Sequence, residues 1–251
     1  MNQHLYIITG ASRGMGLAIA EQLLQPGNTL LCIARSTNDE LASRAKAAGA
    51  TLVQWSQDLA LGVQASARLK QWLDQQGGSA CASATLINNA GVIPRIGPLS
   101  DADAADLAHA LRVGLEAPMQ LTAAFLQATG HWAATRKVLN ISSGLGRRAM
   151  ASQAAYCAAK AGMDHFTRCV ALDEALKPHG AAVCSLAPGV IDTDMQVQLR
   201  GADATAFPDQ RNFAKLKASD QLSSPAEAAR RVLGYLARPN FGADPVGDVR
   251  D

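Results

Sequence analysis

The stretch Leu5-Tyr6-Ile7-Ile8-Thr9-Gly10-Ala11-Ser12-Arg13-Gly14-Met15-Gly16 decides the fold. An apolar run stops at Thr9, three glycines follow, and a helical pattern starts at once. Glycine lets the backbone turn sharply and approach a ligand closely. The first turn of the helix leaves N–H groups and a partial positive charge facing whatever sits in the bend. Such a strand-turn-helix suits the pyrophosphate of a dinucleotide, with Gly10, Ser12, Arg13, Gly14, Met15 and Gly16 as its cradle. A glycine trio also serves as a plain tight turn, so the rest of the chain has to decide.

Downstream the same rhythm repeats. Runs rich in β-branched residues near Thr29–Ala34, Thr51–Trp55, Thr85–Asn88, Lys137–Ser142 and Ala182–Leu186 alternate with helical patterns. The helices are expected over Gly14–Leu24, Asp39–Ala48, Val63–Gln75, Asp101–Ala128, Ala154–Lys177 and Pro225–Leu236. Alternation of this kind predicts a single α/β domain over 1–251, a doubly wound parallel sheet with helices on both faces. The segment 194–224 breaks the rhythm and reads as a substrate loop or lid inserted after a strand. The tail Phe241–Asp251 either adds a short last strand or frays.

The chain has 251 residues and a formal net charge of +2 with both signs interspersed, so no nucleic-acid footprint or membrane-binding basic patch is expected. Hydrophobic residues make up 48%, yet no apolar run approaches the ~20 residues of a membrane span. The N-terminus enters a strand directly, without the pattern of a secretion signal, and the expectation is a soluble, cytoplasmic protein whose partners are small molecules. Cys32, Cys81, Cys157, Cys169 and Cys184 form no metal or disulfide pattern and are expected as reduced thiols. His4, His109, His131, His165 and His179 offer no spacing for a metal or a nucleophilic triad.

The end of the second strand bears on the cofactor. An NAD site usually places a carboxylate there for the ribose 2′-hydroxyl, but this chain reads Cys32-Ile-Ala-Arg35-Ser36. Arg35, helped by Arg13 and Ser36, suits the 2′-phosphate of NADP(H), because a guanidinium fork matches a phosphate. Asp58, followed by Leu59, can accept from an adenine amino group or simply cap a helix. Asn89, Ala90 and Gly91 offer small residues where a flat ring passes the backbone.

Tyr156 and Lys160 lie four residues apart in a helical stretch and so share one face, with Ser143 thirteen positions before the tyrosine. An ammonium beside a phenol favours its ionised form, which is expected to bring Tyr156 toward a useful acidity. A carbonyl accepting hydride gains negative charge on oxygen, and Ser143 and Tyr156 can stabilise it as donors.

In order and spacing, Thr9-Gly-x-x-x-Gly-x-Gly16, Asn88-Asn-Ala-Gly91, Ser143, Tyr156-x-x-x-Lys160 and Pro188-Gly-Val-Ile-Asp-Thr193 resemble the short-chain dehydrogenase/reductase family over nearly the whole chain. The resemblance implies a Rossmann fold and a catalytic set. Ser143 bonds the substrate oxygen, Tyr156 transfers the proton, and Lys160 holds the nicotinamide ribose and tunes Tyr156. It also implies that Pro188, Gly189 and Thr193 flank the nicotinamide, with Val190 and Ile191 in the same cofactor-binding phrase. One position departs: Val113-Gly114-Leu115 stands where the family carries an Asn that shapes the helix and a water relay to the lysine. Glycine keeps the backbone carbonyl, so activity is expected to persist.

Gly114-Leu-Glu-Ala-Pro-Met119, Asn140-Ile-Ser-Ser-Gly144 and Arg211-Asn-Phe-Ala-Lys-Leu-Lys217 are similar to the sepiapterin reductase-like branch, bacterial benzil reductases included. That similarity implies an NADPH-dependent reductase of a ketone or vicinal diketone, with an aromatic or pterin-like body. Leu145, Met150, Val190, Met195 and Phe213, beside Ser143 and Tyr156, are the expected substrate-pocket residues. Family counterparts of the long helices pack across a two-fold axis, which implies a homodimer or homotetramer. Two other readings stand beside this one, an NADP(H)-binding sensor with weak or lost catalysis and an NAD-linked alcohol dehydrogenase.

Overall fold

Strand β1 (Gln3–Thr9) shows how a period of two sorts the core. Leu5 and Ile7 enter one buried cluster and Ile8 the other, on the opposite face of the sheet. The computed structural model describes residues 3–78 and 81–251. Its remaining strands are β2 (Asn28–Ala34), β3 (Thr51–Ser56), β4 (Cys81–Asn88), β5 (Thr135–Ile141), β6 (Ala182–Ala187) and β7 (Val246–Asp248). All pair in parallel in the order β3-β2-β1-β4-β5-β6-β7. The tail therefore supplies the seventh strand.

The helices are α1 (Gly14–Gln22), α2 (Asp39–Ala48), α3 (Gly62–Gln76), α4 (Ala104–Leu111), α5 (Ala117–Thr129), α6 (Ala154–Ala175), α7 (Asp194–Arg200), α8 (Gln210–Ala218) and α9 (Pro225–Leu236). On one face Leu69 and Leu73 of α3 meet Leu121 and Phe125 of α5 over Leu31, Leu86 and Val138. On the other, Ile19 of α1 meets Val232 and Leu236 of α9 over Leu30, Leu139 and Leu186. After β1 the chain moves to β2 and β3, then crosses back to β4 on the other side. The connections leaving β1 and β4 diverge there, and a crevice opens at the carboxyl ends of the strands.

Two expectations change in detail. The single helix expected over Asp101–Ala128 is interrupted: α4 runs into a π-helical turn at Arg112–Glu116 before α5 begins. Gly114, a weak helix former, sits inside that turn, and Pro118 has no N–H to give the Gly114 carbonyl four residues earlier. The ladder shifts instead to a bond from the Ala117 N–H to the Arg112 carbonyl. The segment 194–224 is no open loop either. It folds into α7 and α8 around the fully buried Phe207, whose ring stacks on Phe213 with centroids 5.6 Å apart. Asp192 ties it down by accepting from Arg200 at 3.1 Å and Lys217 at 2.6 Å. Among the described residues no helix is long and apolar enough to cross a bilayer.

Two glycines test this packing in opposite directions. A Cβ on Gly16 would lie 2.2 Å from the Gly10 carbonyl oxygen, whereas one on Gly234, in α9, meets nothing within 4 Å. Gly16→Ala is expected to destabilise by roughly 1–3 kcal/mol through overpacking. Gly234→Ala is expected to stabilise by roughly 0.5–1 kcal/mol through helix propensity. Urea unfolding of both variants checks this, and shifts of the same sign would contradict it.

Candidate active site

The connections after β1 to β6 line one cleft of about 830 Å³. At its cofactor end the two diverging turns are stitched together. The Thr9 hydroxyl accepts from the backbone N–H groups of Asn89, at 2.9 Å, and Ala90, at 3.0 Å, while the Asn89 amide donates to the Thr9 carbonyl. Gly10 and Gly14 hold φ of +68° and +56°, the left-handed region that favours glycine. With Gly16 unable to take a Cβ and free N–H groups opening α1, this cradle fits the pyrophosphate of a dinucleotide.

Ser12, Met15, Arg35, Asp58, Leu59, Ala90 and Gly91 line the same cleft. The Asp58 carboxylate also accepts from the Ala60 N–H at 2.9 Å and caps the short 3₁₀ turn at Leu59–Leu61, so the capping role is real whatever else it binds. Arg35 stands exposed at the end of β2, its guanidinium without a partner among the described residues. Ser36 is exposed beside it and is not part of the cleft wall. Arg13 reaches across the mouth to Asp194, the first residue of α7, at 2.7 Å. Both partners are largely exposed, so this bridge contributes little stability.

At the reacting end Tyr156 and Lys160 project from α6 into the cleft with Ser143, which follows β5. Lys160 is 4% exposed, donates to the Ile141 carbonyl at 2.7 Å, and lies 5.8 Å from the centre of the Tyr156 ring. Burial pulls its ammonium down to about 8, and the carboxylate of Asp164 partly offsets that. Tyr156 moves opposite to the sequence expectation. Burial raises its phenol above the usual 10.0, the Ser143 hydroxyl pulls back, and the Cys157 thiol pushes further up. With Lys160 committed to the Ile141 carbonyl, desolvation outweighs any lowering by the ammonium.

Ser142 and Ser143 separate cleanly. The Ser142 hydroxyl donates to Asp164 at 2.6 Å, as does Ser185, and Arg147 approaches the other carboxylate oxygen at 3.2 Å. Ser142 is thus spent in the core, while Ser143 lines the cleft, its hydroxyl accepting from the Leu145 N–H at 3.2 Å. Leu145, Met150, Met195 and Phe213 line this end, and Pro188, Gly189, Val190, Ile191 and Thr193 line the stretch between it and the cradle. Sequence reasoning missed Asp164, although its four-residue offset from Lys160 was a readable signal. It also missed His109 and Val113 near the π turn, Gln153, Gln196, and Asp248 with Arg250 from the tail. Those depend on long-range packing, and no local spacing announces them.

The buried ammonium makes a prediction whose sign can be worked out. Lys160 holds its proton less tightly folded, at about 8, than at the ordinary lysine value of 10.5, so the unfolded state binds more protons between these values and stability rises with pH across that window. Lys160→Met lacks that rise and is expected to be more stable near neutrality by on the order of 3 kcal/mol. Denaturant unfolding at pH 7 and again near pH 10 checks this, and a constant difference between the two proteins would contradict it.

The sequence model of the family described as short chain dehydrogenase matches residues 4–204. The chain is 35% identical over 243 residues to a benzil reductase ((S)-benzoin forming) of Bacillus cereus, covering 97% of this chain and 96% of that protein. It is 32% identical over 260 residues to the sepiapterin reductase of Meriones unguiculatus, covering 98% and 95%. A short-chain dehydrogenase/reductase structure from Burkholderia vietnamiensis superposes with a TM-score of 0.66 at 34% identity, over 99% of both chains. By these matches, and by the site they fall on, the chain belongs to the short-chain dehydrogenase family, oxidoreductases that use a nicotinamide cofactor on small-molecule substrates.

Proposed function

We propose that this protein is an NADPH-dependent carbonyl reductase acting on a ketone or vicinal diketone with an aromatic or pterin-like body. One observation carries the reading: Ser143, Tyr156 and Lys160 border the same cleft as the glycine cradle, and Arg35, without a partner among the described residues, lines it too. The likeness to a benzil reductase and a sepiapterin reductase supports a carbonyl substrate of this kind.

Bound reduced nicotinamide supplies the hydride. Ser143 donates to the substrate oxygen, and Tyr156 donates next and gives up its proton as charge develops there. A phenol raised by burial stays protonated through neutral pH, so the proton it gives is in place. Lys160 holds the nicotinamide ribose and supplies positive charge beside the phenolate left behind. Arg35 pairs with the 2′-phosphate, and Arg13 exchanges its bridge to Asp194 for the same phosphate or keeps the lid closed over it. We take the segment 194–224 to be the substrate lid. The proposal extends to a cytoplasmic homodimer or homotetramer built on α5 and α6, where Met119, Leu172 and Leu176 are exposed.

Gly114 favours one competing reading, a nucleotide sensor with weak or lost catalysis. Loss of NADPH absorbance with a panel of diketones separates the two. Turnover that falls by about 10²–10⁴-fold in Tyr156→Phe supports the enzyme. Tight NADPH binding without turnover on any carbonyl, restored by Gly114→Asn, supports the sensor. Cofactor choice has its own test: Arg35→Ala is expected to raise the KM for NADPH by roughly 10- to 100-fold and to leave NADH little changed, as loss of a charge-assisted bond requires. An equal effect on both cofactors would support the NAD-linked alternative.

A further inference from the structure

Lys160 and Asp164 stand four residues apart on α6 and share one face of it. Both are buried, at 4% and 2% exposure. Their side chains end on consecutive residues where β5 leaves the sheet. The Lys160 ammonium donates to the Ile141 carbonyl at 2.7 Å, and the Asp164 carboxylate accepts from the Ser142 hydroxyl at 2.6 Å. Ser185 on β6 donates to the same carboxylate oxygen at 2.6 Å. Arg147 donates to the other oxygen at 3.2 Å and reaches on to the Gly247 carbonyl of β7 at 2.8 Å. The carboxylate is therefore fixed from three sides, next to an ammonium that the reaction uses.

Ser142 and Arg147 also bracket Ser143, so one carboxylate holds both ends of the turn that carries it. Within that turn Gly146 is pressed onto α6. A Cβ there would lie 2.9 Å from Asp164 Oδ2 and 3.0 Å from the Lys160 carbonyl oxygen. Buried charges this close are screened far less than surface ones, and an anion favours the charged form of a neighbouring ammonium. Other titratable groups lie on α6 itself and on the elements packed against it. Burial raises the Tyr156 phenol and pushes the Cys184 thiol on β6 up to about 11, so both are neutral at working pH. On β7 the Asp248 carboxylate is taken by Arg250 at 2.6 and 2.7 Å. The π turn carries the exposed Arg112 and Glu116, and α4 the half-buried His109. Asp164 is the anion that opposes the effect of burial on Lys160.

We infer that Asp164 is a positioning residue for the reduction: fixed by β6 and by the turn carrying Ser143, it keeps Lys160 in its ammonium form and so sets the upper pH limit of turnover. This rests on the carbonyl-reductase reading and adds the pH control of the same site.

The test is the titration of Lys160 in the NADP⁺-loaded enzyme, followed by carbon-13 NMR of lysine labelled at Cε, with the Lys160 resonance assigned by its loss in Lys160→Met. The pH dependence of kcat/KM for benzil is measured beside it. Asp164→Asn keeps the shape of the side chain and removes its charge. It is expected to move the Lys160 midpoint and the alkaline fall of kcat/KM together to lower pH. Arg147→Gln removes a cation that shares the carboxylate and is expected to move both to higher pH. A purely structural role would leave the midpoints unmoved or shift both variants the same way, and either result overturns the inference. So does a Lys160 midpoint that moves while the kinetic limb stays. Should Asp164→Asn not fold, Arg147→Gln decides: an upward shift retains the inference, and no shift or a downward one refutes it. If the wild-type protein reduces no diketone, the carbonyl-reductase reading fails, and the NMR midpoints alone decide whether Asp164 holds Lys160 charged.

Discussion

The hydrogen bonds between Thr9 and the Asn89-Ala90 backbone hold together the two turns on which the whole site depends. They close the sheet where the chain reverses from β1 toward β2 on one side and β4 on the other. With those turns held apart at the right distance, a crevice must open at the strand ends, and α1 must point its free N–H groups into it. Gly16, packed against the Gly10 carbonyl, allows α1 to approach that closely.

Beneath the reacting end lies a second, wholly polar layer. The Asn88 amide donates to Asn140 at 2.8 Å and approaches Thr122 at 3.2 Å, and Asn140 in turn donates to Thr167 at 2.9 Å. This chain ties β4, β5, α5 and α6 together inside the core. Next to it, Asp164 gathers Ser142, Ser185 and Arg147. Such networks are favourable only when nearly complete, and here they fix the base of α6 so that Tyr156 and Lys160 keep their positions. The buried ammonium works against stability, because burial disfavours its charged form.

Much of the architecture was legible because it is written in local periodicities. Apolar runs rich in β-branched residues marked six strands, and the limits of α2 and α9 coincide with the helical pattern in the sequence. The interruption between α4 and α5 was written there too, in Gly114 and Pro118 four residues apart, but a propensity argument sees a weakened helix and not a shifted hydrogen-bond register. The segment 194–224 read as irregular because its short helices bury Phe207 within the segment itself and show no sustained stripe.

By itself the sequence determined the parallel sheet, the glycine cradle and the shared face of Tyr156 and Lys160, since each follows from spacing within a single element. Only the tertiary structure decided that Ser142 turns into the core and Ser143 does not, that Arg13 meets Asp194, and that Tyr156 is raised rather than lowered in pKa. The reason is range. Burial and partner choice are set by residues far apart in the chain, and a hydroxyl or an ammonium acquires its chemistry from whatever packing brings within a few ångströms.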